Sequence, residues 1–572
     1  MKRIIGALLL TALLACALSA LGGCGTPADD GAVINVYLGE KIYDFDPTDF
    51  YADSAAERAM SLLFEPLFSV DAAGKLSCAA AKSYKIDKEE RTIVVTLRES
   101  YWSDATRVKA ADFIYAWRDV LLDSSKAAPA AALLYDIEGA TAAKSGGSTA
   151  YYFGAKATDT YEITITYREG ADTDRLLRNL SSVATSPLRE DIVNNAPGYW
   201  SKTLSYAVSN GPFRLATLDY TAGVFTLARN TGYHQSPTAE DKTKNVTPAK
   251  LMSSFAVNGE YLSYDDIAAK TVFVMNDATL ADRKAHKDAA SVADAGSAYV
   301  YAFNTDNPIF ANESVRLALS LAIDRAAVVN AITFGKAADG FVPGSGIGAS
   351  LSDMARAKEL LAAAEASMSA PLQKSFTLTV NDDEESLAVA GIAKAAWEEL
   401  GFTVTINAVG VVTTEITDRQ TNEELTINDS GIQKLLIDAA HGVRNYDVIG
   451  FDWMMYSDDA FVPLTAFASS LTGFGTDIET GNKRKNVTGW SSPDYDALMN
   501  AAFVATDSET RDGLLRSAEK LLLDSAPITP VYFNQSFTFS HADISGVTYD
   551  AAGNPVYTKM KLKDYGQYLN KE

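Results

Sequence analysis

FTLTVNDDEESLAVAGIAKAAWEELGFTVTI, residues 376–406, reads as strand, helix, strand. Phe376–Val380 is β-rich. Ser386–Leu400 follows with Leu387, Ala390, Ala393 and Trp397 spaced for one helical face, and Gly401 stands where a C-cap glycine is expected. Asp382-Asp383-Glu384-Glu385 opens the helix, where negative charge suits the dipole. Phe402–Ile406 is a second strand. A strand returned through a helix and a short cap turn pairs parallel to the first, so the chain belongs to the α/β class.

Working outward, Asn312 is placed to cap a helix whose stripe is Val315, Leu319, Ala322, Ala326 and Val329, ended by Gly335. Ser508 starts another, with Leu514, Leu515, Ala518, Leu521 and Leu522 inward and Pro527 beyond its end. Earlier segments predict a strand at Ala32–Leu38 and a helix within Ala55–Phe68, apolar at Met60, Leu63, Phe64 and Leu67. Strands are expected at Thr92–Leu97 and Glu162–Thr166, with a helix at Ala111–Leu122 between them. Thr141–Ala150 reads as a loop. At 572 residues the chain exceeds the ~250–300 at which one core stops growing. No repeat and no Pro-rich linker divides it, so lobes joined by several crossing strands are expected rather than serial domains.

The N-terminus has Lys2 and Arg3, an apolar run from Ile4 to Ala20, then Leu21-Gly22-Gly23-Cys24. A charged start, a short apolar segment and small residues mark a secretory signal. Leu-Gly-Gly-Cys resembles a bacterial lipobox, in which the cysteine becomes the first mature residue and carries lipid. The expectation is a signal peptide over 1–23, a small polar tether over 24–33, and a protein anchored through Cys24 at the outer face of the cytoplasmic membrane. The formal charge of −23 becomes −25 once Lys2 and Arg3 are removed. That charge disfavours nucleic acid and anionic lipid heads and keeps a surface protein soluble. With Cys16 in the signal and Cys24 lipidated, Cys78 is alone and no disulfide is expected; it reads as a small buried filler.

Catalytic patterns are missing from the sequence. His234, His286, His441 and His541 are scattered, none at metal-ligand spacing. Ser517-Ala518-Glu519-Lys520 fits a Ser-x-x-Lys pattern, but no Ser-Asp-Asn or Lys-Thr-Gly accompanies it. Gly344-Ser345-Gly346-Ile347-Gly348 completes no phosphate-loop pattern. Asp44, Asp46 and Asp49 lack the glycine and glutamate of a calcium loop. The reading is of a non-enzyme with no metal and no cofactor. The 27 tyrosines, 24 phenylalanines and 6 tryptophans leave rings for a ligand. Trp102, Tyr456 and Tyr532 lie in segments mixing apolar and polar residues, as ligand-facing rings do.

Several phrases together are similar to the oligopeptide/dipeptide-binding family of ABC-importer substrate-binding proteins. They include Asp46-Pro47, Leu62–Leu67 (LLFEPL), Leu97–Asp104 (LRESYWSD) and Val108–Trp117 (VKAADFIYAW). Ala105 stands where the family signature has glycine. Ser209–Leu215 (SNGPFRL) follows, then Ala228-Arg229-Asn230 with Tyr233, where His234 replaces a tryptophan. Phe303-Asn304, Ala322–Arg325 (AIDR), Tyr495–Leu498 (YDAL) and Ala526–Tyr532 (APITPVY) complete the series, which runs from about 34 to about 535.

The resemblance implies a two-lobed, periplasmic-binding-protein-like flytrap (type II, with an extra subdomain) that closes on a solute and hands it to a membrane permease. It places the lobe I core at 34–69, 204–304 and 531–572, the extra subdomain at 70–203, and lobe II at 305–530. Peptide binders of the family anchor the peptide amine on an aspartate three residues after a tryptophan. Here Trp453 is followed in that register by Tyr456; Asp458 and Asp459 come next, and the anchor is one of these or absent. The position of an arginine that grips carboxylates in some members aligns with Gly450. Trp453 and Tyr456 are expected to stack on or bond the solute, and Tyr51 and Tyr532 to wall the cleft. The expected partners are a small solute, a peptide or peptide-like nutrient, and the permease, with the receptor a monomer. A secreted hydrolase and a non-transport surface or signalling protein on the same fold are the rival readings.

Overall fold

The computed structural model describes residues 31–39, 42–49, 54–146, 152–256, 261–345, 347, 351–475 and 485–568. Cys24 and Tyr51 lie outside them. The main sheet has eleven strands. In chain order they are β1 (Val33–Gly39), β2 (Phe213–Asp219), β3 (Val224–Arg229), β4 (Lys250–Phe255), β5 (Val274–Met275) and β6 (Ser291–Phe303). Then come β7 (Gly335–Ala337), β8 (Ser375–Asn381), β9 (Thr403–Val409), β10 (Val448–Met454) and β11 (Ile528–Ser540). Their spatial order is β9-β8-β10-β6-β11-β5-β1-β4-β3-β2, with β7 added on β11. Six helices matter below: α1 (Ser54–Leu63), α2 (Leu280–His286), α3 (Glu313–Ala322), α4 (Glu384–Glu399), α5 (Gly431–Ala440) and α6 (Ser508–Ser525).

The strand–helix–strand unit is present: β8 and β9 are parallel from Ser375↔Thr403 to Asn381↔Val409, with α4 between them. Trp397, Ala390 and Ala393 are fully buried, and Trp397 Nε1 donates to Leu319 O at 2.8 Å. Leu387 departs from the expected stripe and is exposed. Ser386, Val389, Ala390, Ala393 and Trp397 set the buried face, and at 100° per residue Leu387 falls well off its centre.

Asn312 caps α3 as expected, accepting from Val315 N at 3.3 Å, but the helix stops at Ala322. Asp324 accepts from Ala327 N at 2.9 Å and starts a second helix at Arg325. A competing cap inside the apolar stripe splits it, and Ala326 turns outward. Asp507 caps α6, which ends at Ser525 before Ala526 and Pro527. The Ala111–Leu122 helix begins as Ala110–Tyr115 and widens into a π turn over Ala116–Leu121. Part of the expected loop at Thr141–Ala150 is a short helix, Ala140–Lys144. Cys78 is half-buried rather than enclosed.

Two long strands, β6 and β11, carry the chain between the two ends of the sheet. They pair antiparallel, and the register breaks between Asp294↔Gln535 and Ala298↔Phe533. Residues 295–297 of β6 therefore bulge opposite Asn534, whose Nδ2 donates to Ser297 Oγ at 2.8 Å. A bulge interrupts the ladder and lets the strand bend. Beside the β2 end stands a separate antiparallel sheet of four strands, Ala81–Asp87, Thr92–Leu97, Glu162–Thr166 and Ala155–Asp159.

Signature phrases distant in sequence meet around buried amides. Asn210 accepts from Glu65 N at 3.0 Å and donates to Glu65 O at 2.8 Å. Asn230 donates to Tyr101 O at 3.1 Å and to Gly211 O at 3.0 Å. His234 faces Glu65 with Nε2 at 2.6 Å from Oε2 and stacks on Tyr233. Trp102, expected to face ligand, is buried and donates to Asp112 Oδ2 at 3.0 Å.

Two features of this region give measurable consequences. Ala105 has φ of 66°, the left-handed region that favours glycine. Ala105→Gly is expected to stabilise the protein by about 0.5–1 kcal/mol, read as a higher urea midpoint. Glu57 of α1 is buried against the C-terminal turn; desolvation, then Asp550, push its carboxyl up to about 8. Burial likewise takes Asp550 to about 6. The folded chain thus holds protons that the unfolded chain releases near pH 4–4.5, and stability falls as pH rises from there toward 8. Glu57→Gln should remove most of the fall in thermal midpoint between pH 5 and 8; an unchanged fall would contradict this assignment.

Candidate functional site

A cleft lies along the β6–β11 crossing, with about 1410 Å³ of empty space counted out to open solvent. Its walls come from both ends of the sheet. From the β1 end come Tyr43, Arg58 of α1, Asn276, Asp277 and Arg283 of α2. From the β9 end come the turn 381–386 before α4, Gly410, Val411, Ser430, and Asp452 on β10. Tyr299 and Tyr532 on the crossing strands form the floor, their rings stacked at 5.2 Å and 9°.

Local rules aim the charged groups. Asp383 caps α4 through Ser386 N at 2.7 Å, so Glu384 and Glu385 fall in its first turn, facing the opposite wall. Glu385 accepts from Tyr532 Oη at 2.7 Å and pairs with Arg283 Nη1. Arg283 also holds Asp277 Oδ1 through Nη2 at 2.5 Å and donates from Nε to Ala278 O at 2.9 Å. Leu280 N donates to Glu384 Oε2 at 3.0 Å. The start of α2 and the start of α4 are thereby tied across the cleft. Burial, reinforced by Glu385, pushes the Tyr532 phenol well up, so it remains a donor.

Asp452 accepts from Asn534 Nδ2 at 3.0 Å, the amide that also holds the bulge. Asp382, Asp383, Glu384 and Asp452 make the β9-end wall acidic. Burial raises the Asp383 carboxyl. Arg58 stands on the opposite wall, and its Nε has no hydrogen-bond partner among the described residues. The arrangement can hold a solute with separated positive and negative ends. No group of three His, Cys, Asp or Glu among the described residues is placed to hold a metal ion.

Of the residues expected at the site, Tyr532 lines the cleft and the others described do not. Trp453 is 6% exposed, its ring stacked on Phe467 at 5.2 Å and edge-on to Phe341 at 5.4 Å. It packs behind the cleft wall. Tyr456 is likewise buried, with φ of 62° just past the end of β10. Asp458 is largely exposed on the outer surface, 3.7 Å from Arg178. Asp459 is enclosed by Arg511 at 2.9 Å and Arg175 at 3.6 Å, and Arg175 is shared with Asp136. Its charge is met inside the fold by these guanidiniums. Gly450 also lines the cleft, where an added Cβ would meet the Tyr299 and Tyr301 rings.

Asp452 and Arg58 were not among the expected residues. Asp452 immediately precedes Trp453, and a polar residue at the outer end of an apolar strand was the available signal. Arg58 gave none, because a helical arginine is ordinarily solvated. Asp459→Ala is expected to cost about 3–5 kcal/mol, since it strands Arg511 and Arg175 in the interior. Calorimetry should show that loss while the affinity of the folded protein for its solute is unchanged; a weakened affinity at full stability would return Asp459 to the site.

Residues 75–472 match the bacterial extracellular solute-binding proteins, family 5 Middle. The dipeptide-binding protein DppE of Bacillus subtilis (strain 168) is 27% identical over 502 residues, 85% of this chain and 83% of DppE. The structure of the Escherichia coli murein tripeptide binding protein MppA superimposes with a TM-score of 0.74 at 21% identity, over 93% of this chain and 98% of that one. MppA in an unliganded open form, at 22% identity and the same coverage, gives 0.55. With the match spanning more than half of its length, the chain belongs to the bacterial extracellular solute-binding proteins of family 5.

Proposed function

We propose that the protein is the solute receptor of an ABC importer and captures a peptide or peptide-like solute in the cleft along the β6–β11 crossing. The observation that carries this reading is the division of charge between walls that belong to opposite ends of the sheet. Asp382, Glu384 and Asp452 face Arg58 across a floor of stacked tyrosines. A zwitterion laid between them would bond both walls at once and so favour the shut form. The names of DppE and MppA, a dipeptide-binding and a murein tripeptide binding protein, support a peptide. In this reading the lobes turn about the bulge at 295–297 and Asn534, and the solute leaves chemically unchanged. Cys24 carries the lipid that keeps a monomeric receptor beside its permease at the outer membrane face. No helix among the described residues is long and apolar enough to cross a membrane.

Titration calorimetry of the purified mature chain with unblocked di- and tripeptides tests it. Asp452→Asn and Arg58→Met should each weaken binding about tenfold to a hundredfold, the worth of one charge-assisted hydrogen bond. Blocking the peptide amine should mimic the first change and amidating the carboxyl the second. Equal affinity for blocked and free peptides, or no peptide binding at all, would refute the assignment.

A further inference from the structure

Residues 411–430 form a two-stranded antiparallel ribbon, registered from Val411↔Ser430 to Thr417↔Glu424, with no strand partner in any other sheet among the described residues. It leaves the fold after β9 and re-enters at the first residue of α5. Its ends meet: Gly431 N donates to Gly410 O at 3.0 Å. The connection from β9 to α5 is therefore complete without it, and the ribbon is an excursion the fold does not require. A lone hairpin is marginal in water; Ile427 is buried and Ile416 and Leu425 pack on the core, while half of the residues in its two strands are exposed. Something else must hold it.

What holds it lies on the opposite half. Tyr206 Oη donates to both oxygens of Asp418 at 2.9 Å, and Arg419 N donates to Tyr199 Oη at 3.0 Å. Lys202 Nζ meets Asp429 Oδ1 at 2.5 Å while also pairing with Asp44 at 3.5 Å. Just past the ribbon, Gln433 Nε2 donates to Asp49 O at 2.6 Å. The ribbon is thus rooted beside β9 and fastened to the half that carries β1. Val411 and Ser430, at its base, line the cleft.

We propose that the ribbon is a strap which shuts one exit of the cleft and so sets how long a peptide the receptor can enclose. This deepens the peptide reading above and rests on it. A solute running past Val411 and Ser430 must displace the ribbon from Tyr199, Lys202 and Tyr206. A solute that ends before them leaves the strap fastened and is released slowly. Length selection then comes from breaking contacts within the protein, not from any pocket for the peptide's end.

The test compares the native chain with a strapless one in which two glycines join Gly410 to Gly431. A second variant, Tyr206→Phe with Asp429→Asn, keeps the ribbon but unfastens it and serves if the excision fails to fold. Peptides of two to eight residues are titrated against each, and dissociation is followed by stopped-flow fluorescence. The native chain should lose affinity beyond a certain length. The strapless chain should bind the longer peptides as well as the short ones, and release the short ones about tenfold faster, the loss expected for one charge-assisted contact. The unfastened variant should fall between them. The same length profile and the same release rates in all three would overturn the strap. Failure of the native chain to bind any peptide would instead overturn the peptide reading. Small-angle scattering then tests the strap alone: the native protein should be more compact than the strapless one by more than the ribbon's mass explains, and an equal radius of gyration would sink it.

Discussion

Everything in this structure follows from how few times the backbone crosses between the halves. β6 and β11 do so as a single antiparallel pair, and the pair is broken where three residues of β6 stand opposite the single Asn534, two more than a regular ladder holds. A continuous ladder would hold the two ends of the sheet as one plate; a bulge in its middle leaves them joined but able to bend. Because the crossing is narrow, the space along it is open to solvent and bounded by both halves. The floor of that space is made from the crossing strands themselves, through Tyr299 and Tyr532. Asn534 serves both demands, bonding Ser297 in the bulge and Asp452 on the wall.

Charge is used in two distinct ways. Around Asp136 and Asp459, buried carboxylates and the guanidiniums of Arg168, Arg175 and Arg511 complete one another. Such a network is costly to break and makes weak evidence of added stability, because both partners lost water to form it. Along the cleft the balance is different. Arg283 is fully engaged by Asp277 and Glu385, which ties the halves. The remaining acids stand on one wall and Arg58 on the other. These groups line the cleft instead of closing a buried network.

The site was less legible than the fold, for reasons visible in particular residues. Tyr532 lies in a segment that mixes a ring with a polar handle, and the sheet places it at the cleft floor. Trp453 carried the same signal, yet it packs between Phe467 and Phe341. On a strand buried on both faces, alternation does not tell the core from the cleft. Asp459 is one of two acids that follow the tryptophan register, and its partners Arg175 and Arg511 arrive from 284 residues before it and 52 after it. Asp452 lies one residue before that tryptophan, where a single acid on an apolar strand fits no register.

The sequence by itself determined what depends on a few adjacent residues. The parallel pair around 376–406, the cap at Asn312, the acidic opening of the helix at 382–385 and the signature phrases are all local patterns with one favoured geometry. Competition between nearby caps already strained that reading, as Asp324 splitting the helix after Ala322 shows. Tertiary structure alone decided which carboxylates are spent and which face solvent, that residues 411–430 reach across to Tyr206, and that two strands bear the crossing. These outcomes turn on partners hundreds of residues apart, brought together only when the core has formed. No spacing along a chain encodes a distance that exists only after folding.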